Sequence, residues 1–345
     1  CQSKRHRLGQ PCRHCSAYVG HCFLGHSDMS IFFLQIQNLS SQIPKPTAFF
    51  LMLLERRRQS FAQKTSVGFL YSKDYTNVEG PLRYQPNRAF VFSNPKFLTG
   101  FNKGGYNNQP SFVSNYEIYL TVNSPETGEQ TDIYSLNLTT NTRTRITNTI
   151  ESEYSPTILP TGYEFSAVRV EADGLQTQRL WKFPMDRSGK GEPVFYNVKD
   201  VGYHHWLDRT NVAMFIVGNP HMLVIGNTRS ESIEQIMPNI GRCFQEMPNG
   251  NLAFIHKIAD DFWQLRELNP LTKKSDAIVT TIKGSEDFVV LPDGTILMGN
   301  GSKLYKFNRA IDKNWIEIAD FSYYNINNIS RLAVSRDNKV VFVAN

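Results

Sequence analysis

Beyond residue 64 the sequence has one cysteine, Cys243, so the larger part of the chain cannot form a disulfide within itself and must be stable through burial. It has no apolar run near the roughly 18 residues a membrane-spanning helix needs, and the chain reads as soluble with no membrane span. No G-x-S-x-G, H-E-x-x-H, P-loop or G-x-G-x-x-G stretch occurs, which removes the common signatures of serine hydrolases, zinc proteases and nucleotide-binding folds. A net positive charge is also missing where it would matter. The net charge of +6 divides into +7 for residues 1–64 and −1 for the rest, so the larger part gives no reason to expect nucleic acid as a partner.

What the chain has in abundance is one short pattern. FVVLPDGTILMGN at residues 288–300, CFQEMPNGNLAFIHK around Gly250 and SPTILPTGYEFSAVR around Gly162 are each two apolar runs joined by a tight turn. Glycine at the turn tolerates the positive φ that a hairpin demands. Three weaker copies turn at Asn115, Asn211 and Asn338, asparagine being the next best residue for a left-handed position. The intervals between the six markers are 47, 49, 39, 44 and 44 residues. A period in the forties with about four strands per unit and no helical pattern between is the signature of a β-propeller blade.

Further strands follow each hairpin. Third-strand candidates start at Asp132, Arg179, His221, Phe262 and Lys303, and shorter, more polar fourth strands include TRTRIT from Thr142 and NWIEIAD from Asn314. The sixth hairpin reaches Asn345, so its outer strands are expected from upstream, with SVGFLYS from Ser66 and RAFVFSNPKFLT from Arg88 as the candidates. The expected fold is therefore all-β: a six-bladed β-propeller with four-stranded antiparallel blades, its last blade closed by N-terminal strands, over residues 65–345. Such closure removes an open sheet edge.

Residues 1–64 are expected to be a basic leader, disordered or a degraded signal region. They hold Cys1, Cys12, Cys15 and Cys22 with His6, His14, His21 and His26. The spacing Cys12-x2-Cys15-x6-Cys22-x3-His26 matches no common zinc finger or knuckle, and no metal site is assigned. AFFLMLL from Ala48 resembles the apolar region of a signal peptide, but ERRR at 55–58 stands between it and the small residue Ala62 where cleavage would fall.

TDIYSLNLTTNTRTRIT at 131–147, followed by EYSPTILPTGYEFSAVR, resembles the repeat of TolB-like propellers, also described as WD40-like or PD40-type repeats. The match includes Asp132, Ile133, Tyr134, Thr147, Ser155, Pro156 and Gly162. NNQPSF at 107–112 resembles the variant usual in secreted Bacteroidetes members. Later blades keep the turn and the alternation alone. The resemblance implies a six-bladed ring, a periplasmic or secreted location in the cell envelope, and binding rather than catalysis.

In a propeller, the start of each innermost strand faces the channel mouth, where ligands usually sit. The repeat places there Asn108 and Gln109, Tyr154 and Ser155, Tyr203 and His204, Arg242 and Cys243, Glu286 and Asp287, and Ser330 and Arg331. From these, Asn108, Gln109, Tyr154, Tyr203, His204, Arg242, Glu286, Asp287 and Arg331 form the candidate site for a protein or small polar ligand, as exposed rim residues of a monomer. No cofactor and no catalytic residue is assigned. Two readings compete with it. These groups could simply solvate the funnel and pair across blades, Arg242 with Glu286 for instance. Alternatively, Glu286, Asp287 and His204 could serve a hydrolase or lyase of glycosidase-like or lactonase-like type. Cys243 reads as a small buried residue. Adjacent residues on a strand point to opposite sides, so His204 and His205 cannot jointly chelate one metal, and one of them should pack between blades.

Overall fold

The computed structural model describes residues 50–54, 70–71, 90–92, 96–102, 105–123 and 130–344, within a compact unit that runs from Pro44 to Asn345. The Cys/His-bearing leader up to residue 49 lies outside the described residues.

Five antiparallel four-stranded blades form from consecutive strands. Their innermost strands are Asn107–Ser114, Ser152–Ile158, Val201–Trp206, Ile240–Glu246 and Phe288–Val290. The expected third strands are all present, as Asp132–Asn137, Gln178–Pro184, Met222–Asn227, Phe262–Leu268 and Lys303–Phe307. The turns obey local stereochemistry. Gly162, Gly250 and Gly294 have φ between 76° and 81°, and Asn338 has φ 65°. Asn115 and Asn211, expected to behave likewise, stay out of the left-handed region. At Asn211 the turn is made by Asp208 instead, whose Oδ1 accepts from the backbone N–H of Thr210 at 2.7 Å and of Asn211 at 2.9 Å.

A further four-stranded sheet is composite. The last two strands, Ile329–Val334 and Val340–Ala344, continue into Phe50–Leu54 and then Lys96–Phe97. Phe50 pairs with Ala344 and Leu54 with Val340 in antiparallel register. An N-terminal strand thus completes the C-terminal hairpin, but it is not the one expected. Ser66–Ser72 contributes Leu70–Tyr71 to a separate two-stranded ribbon with Phe90–Val91, and of the Arg88 stretch only Lys96–Phe97 joins the sheet, at its outer edge. The third strand comes from the leader side of the residue-65 boundary. An uninterrupted apolar pentamer, FLMLL, reads equally well as the heart of a signal peptide or as a strand meant for burial on both faces, and periodicity cannot separate the two.

Burial rises and then falls across each blade. Second strands such as Glu117–Val122 and Glu164–Val170 are buried at nearly every position, while fourth strands such as Ser232–Pro238 are mostly exposed. Period-two alternation is lost in the second strands because a neighbouring blade covers each face. The core therefore lies between blades: Tyr119 and Ile133 of the first blade against Phe165 and Phe183 of the second, Phe215 and Leu223 of the third against Phe244 and Phe254 of the fourth, and Ile118 and Leu120 against Val341 and Val343 of the composite sheet. Each fully buried side chain of this size contributes about 1.5–3 kcal/mol. The first and second blades each hold an ion pair of their own: Arg145 Nη2 meets Asp132 Oδ2 at 2.7 Å in the first, and Arg169 Nε meets Glu153 Oε1 at 3.0 Å in the second, where both partners are buried.

Candidate functional site

Innermost strands of successive sheets pack side by side, and Ile329–Val334 contacts the innermost strands of both the fifth and the first blades. Their starts are irregular for a shared reason. Ladder register breaks between Asn108 and Ser111, between Tyr154 and Thr157, between Val201 and Tyr203, between Ile240 and Phe244, and between Ser330 and Ala333. At three of these bulges a non-glycine residue adopts the left-handed region: Gln109 at φ 53°, Ser155 at 55° and Arg331 at 51°. A bulge inserts an extra residue and re-aims its side chain, and such strain persists where the surrounding structure over-determines it. Here it turns one residue from each of three sheets toward a common cavity.

That cavity has a volume of about 300 Å³ and is lined from the five blades and the composite sheet, by Gln109, Ser155, Tyr203, His204, His205, Arg242, Cys243, Gln245, Asp287 and Arg331 among others. Arg242 grips Asp287 with two parallel bonds, Nε to Oδ1 at 3.1 Å and Nη2 to Oδ2 at 2.7 Å, and its remaining Nη1 reaches Glu286 at 2.9 Å. Lys257 takes the other Glu286 oxygen at 2.9 Å while lying 4.3 Å from the centre of the Trp263 ring. Arg331 donates from Nη2 to the Tyr203 hydroxyl at 2.9 Å and approaches Asp287 Oδ1 at 3.5 Å. Asp287 therefore ties together two sheets besides its own.

Burial and partners set the protonation states. Burial alone would raise the Asp287 carboxyl, but the two guanidiniums override it and hold the group well below the usual carboxylate range. Burial would lower the Arg242 guanidinium, and Asp287 and Glu286 keep it well above its usual value. Burial pushes His204 down to about 3 and His205 to about 4, so both imidazoles are neutral at physiological pH. Burial, with help from Asp287, pushes the Cys243 thiol up to about 12. This thiol donates to the Phe288 carbonyl at 3.2 Å. Such a group is a poor nucleophile.

Of the nine candidate residues, Gln109, Tyr203, His204, Arg242, Asp287 and Arg331 line the cavity. Asn108 and Tyr154 are buried behind it, 3% and 6% exposed, because each precedes a bulge residue and faces the other way. Glu286 lies behind Arg242, locked between it and Lys257. The expected exposure is also corrected. Asp287 and His204 are 7% and 8% exposed, since Asp287 is enclosed by the two guanidiniums it pairs with and His204 reaches in against Ser166 of the second blade. Cys243 is half-buried on the wall rather than sealed in the core. His204 is the residue that reaches between blades, its Nε2 lying 2.7 Å from Ser166 Oγ of the second blade. Lys257 escaped the sequence reading because it lies on a second strand, away from the strand starts where candidates were sought.

No family model matches the chain, and no curated protein does. Solved structures match it in architecture. A TolB-type protein from Agrobacterium tumefaciens aligns with 73% of this chain and 93% of its own at a TM-score of 0.57 and 11% identity. TolB from Acinetobacter baumannii aligns with 91% of this chain and 68% of its own at 0.51 and 11%. A puromycin-hydrolyzing peptidase from Mycobacterium tuberculosis matches 72% of this chain but 44% of its own, at 0.51 and 11%. The likeness is one of fold: the chain is a β-propeller with four-stranded antiparallel blades. Among the described residues no helix is long and apolar enough to cross a membrane, and no group of His, Cys, Asp or Glu is arranged to hold a metal ion.

Proposed function

We propose that this chain is a TolB-like, six-bladed propeller of the periplasm or the secreted fraction, acting as a monomeric, non-catalytic scaffold that holds a protein or small polar ligand at its central channel. The observation behind this reading is the convergence of Arg242, Asp287, Arg331 and Tyr203, from four different sheets, on one cavity wall. A rigid ring that presents a pre-ordered polar set can bind with little reorganisation. The hydrolytic alternative is weaker because Glu286 and Asp287, its two carboxylates, are both engaged in ion pairs.

We place the start of the propeller before Phe50, with Phe50–Leu54 closing the ring. A chain beginning at residue 56 should then aggregate and lose cooperative melting, whereas one beginning at residue 44 should melt like the full chain. For function, the immobilised full chain is exposed to an envelope extract. Arg331→Gln should cut capture of the partner at least tenfold, while Glu234→Ala, on an exposed outer strand, should leave it unchanged. The opposite pattern would move the binding surface to the outer strands.

A further inference from the structure

Three cations, Arg242, Lys257 and Arg331, face two carboxylates, Glu286 and Asp287, in the cluster at the channel wall. The surplus is not shared evenly. All three nitrogens of Arg242 are engaged, two with Asp287 and one with Glu286. Arg331 has its shortest bond to a neutral phenol at 2.9 Å and its anion at 3.5 Å, with its side chain 10% exposed. A buried guanidinium that shares its counter-ion with a better-placed competitor has room for another anion.

The same cavity is lined by two groups that lack a partner. Ser155 Oγ and His204 Nδ1 are buried and unbonded among the described residues. The state of His204 follows from its surroundings. Trp206 Nε1 donates to Ser166 Oγ at 2.9 Å, and that hydroxyl lies 3.3 Å from the Thr157 carbonyl, to which it donates. Ser166 then accepts from His204 Nε2–H, leaving Nδ1 as a lone pair. A carboxylate set against that lone pair would be repelled, whereas a hydroxyl would donate to it and could also serve Ser155. A cavity of about 300 Å³ is at the small end of ligand pockets, which span about 300–1,000 Å³.

We propose that the channel cavity binds a small polyhydroxy monocarboxylic acid, its carboxylate on Arg331 in place of the Tyr203 hydroxyl and its hydroxyls toward Ser155 and His204. This rests on the channel being the functional surface and names the chemistry of what enters it. One carboxylate cancels the surplus of one positive charge, and the hydroxyls satisfy the two orphaned atoms.

The test is titration calorimetry of the full chain with gluconate, its neutral counterpart sorbitol, acetate and inorganic phosphate. Gluconate should bind at least tenfold more tightly than the other three. Arg331→Gln should weaken it at least tenfold and Ser155→Ala several-fold, while Tyr203→Phe, which frees the guanidinium from the phenol, should bind gluconate as tightly as the parent or more so. Sorbitol binding as well as gluconate, or Arg331→Gln binding unchanged, would overturn the inference. Phosphate binding as tightly as gluconate would overturn the carboxylate assignment. If Arg331→Gln does not fold by circular dichroism, Tyr203→Phe decides, since weaker binding there assigns the phenol a mainly structural role and rejects the proposal. Failure with gluconate while channel variants still lose the protein partner would refute the small acid alone. Failure of both would refute the channel as the functional surface.

Discussion

Asp287 on the channel wall and Glu153 between the first two blades are carboxylates withdrawn from water to a similar degree, 7% and 0% exposed, and they respond in opposite ways. Asp287 meets two guanidiniums and stays ionised. Glu153 meets one, Arg169, plus the Thr149 hydroxyl at 2.7 Å, and its Oε2 has no partner among the described residues. Burial pushes Glu153 up to about 7, with Thr149 and Arg169 only partly offsetting it and Asp132 adding to the rise. Arg169 is itself held over the Trp181 ring at 4.1 Å, so its charge is divided between an anion and an aromatic face. Whether a buried acid is ionised depends here on how many cations it can claim. Depth alone does not decide it.

The sharpest way to break this comparison is Asp287→Ala. It takes the counter-ion from Arg331 and leaves Arg242 with Glu286 alone, and by the usual cost of removing one partner from a buried ion pair it should lose about 3–5 kcal/mol in guanidinium-chloride unfolding. A loss below about 1 kcal/mol would mean that Asp287 is not holding the sheets together. Second in size is the pH dependence. Glu153 has a folded pKa raised from 4.5 to about 7, so the folded state holds the proton longer than the unfolded one. The contribution of this one group is fully present below about pH 4.5 and is lost as pH rises to about 7, by about 3 kcal/mol for a shift of this size. Asp287, shifted downward, contributes the reverse, with stability present above its ordinary value near 3.8 and lost in acid. Glu153→Gln should flatten the fall between pH 4.5 and 7 in urea titrations and leave the acid limb in place. An unchanged slope would assign the titration elsewhere. The smallest effect is that of Arg242→Lys, which keeps the charge but loses the fork. It should cost about 1–2 kcal/mol by the same unfolding assay, because an ammonium cannot make the two parallel bonds that hold Asp287.

The repeat was legible because turns and apolar runs act locally: Gly162, Gly250, Gly294 and Asn338 have the backbone their residue type suggests. Three things were not. Phe50–Leu54 needed knowledge of a partner strand far away in sequence. The burial of Asn108 and Tyr154 needed the bulges at Gln109 and Ser155, since one inserted residue exchanges the two faces of a strand and leaves no mark on composition. The isolation of Arg331 from a full counter-ion depended on distances between sheets, to which spacing along the chain is blind.

The composite sheet also sets apart how the two halves of the ion cluster come together. Leu54 pairs with Val340, about 290 residues further along the chain, and a closure of that length is among the most costly pairings in the fold. Arg331 belongs to this sheet, while Tyr203 and Asp287, the groups it contacts, sit on blades built from consecutive strands. The fork between Arg242 and Asp287 thus depends on blades made by local pairing, whereas the sheet that carries Arg331 also needs a distant one.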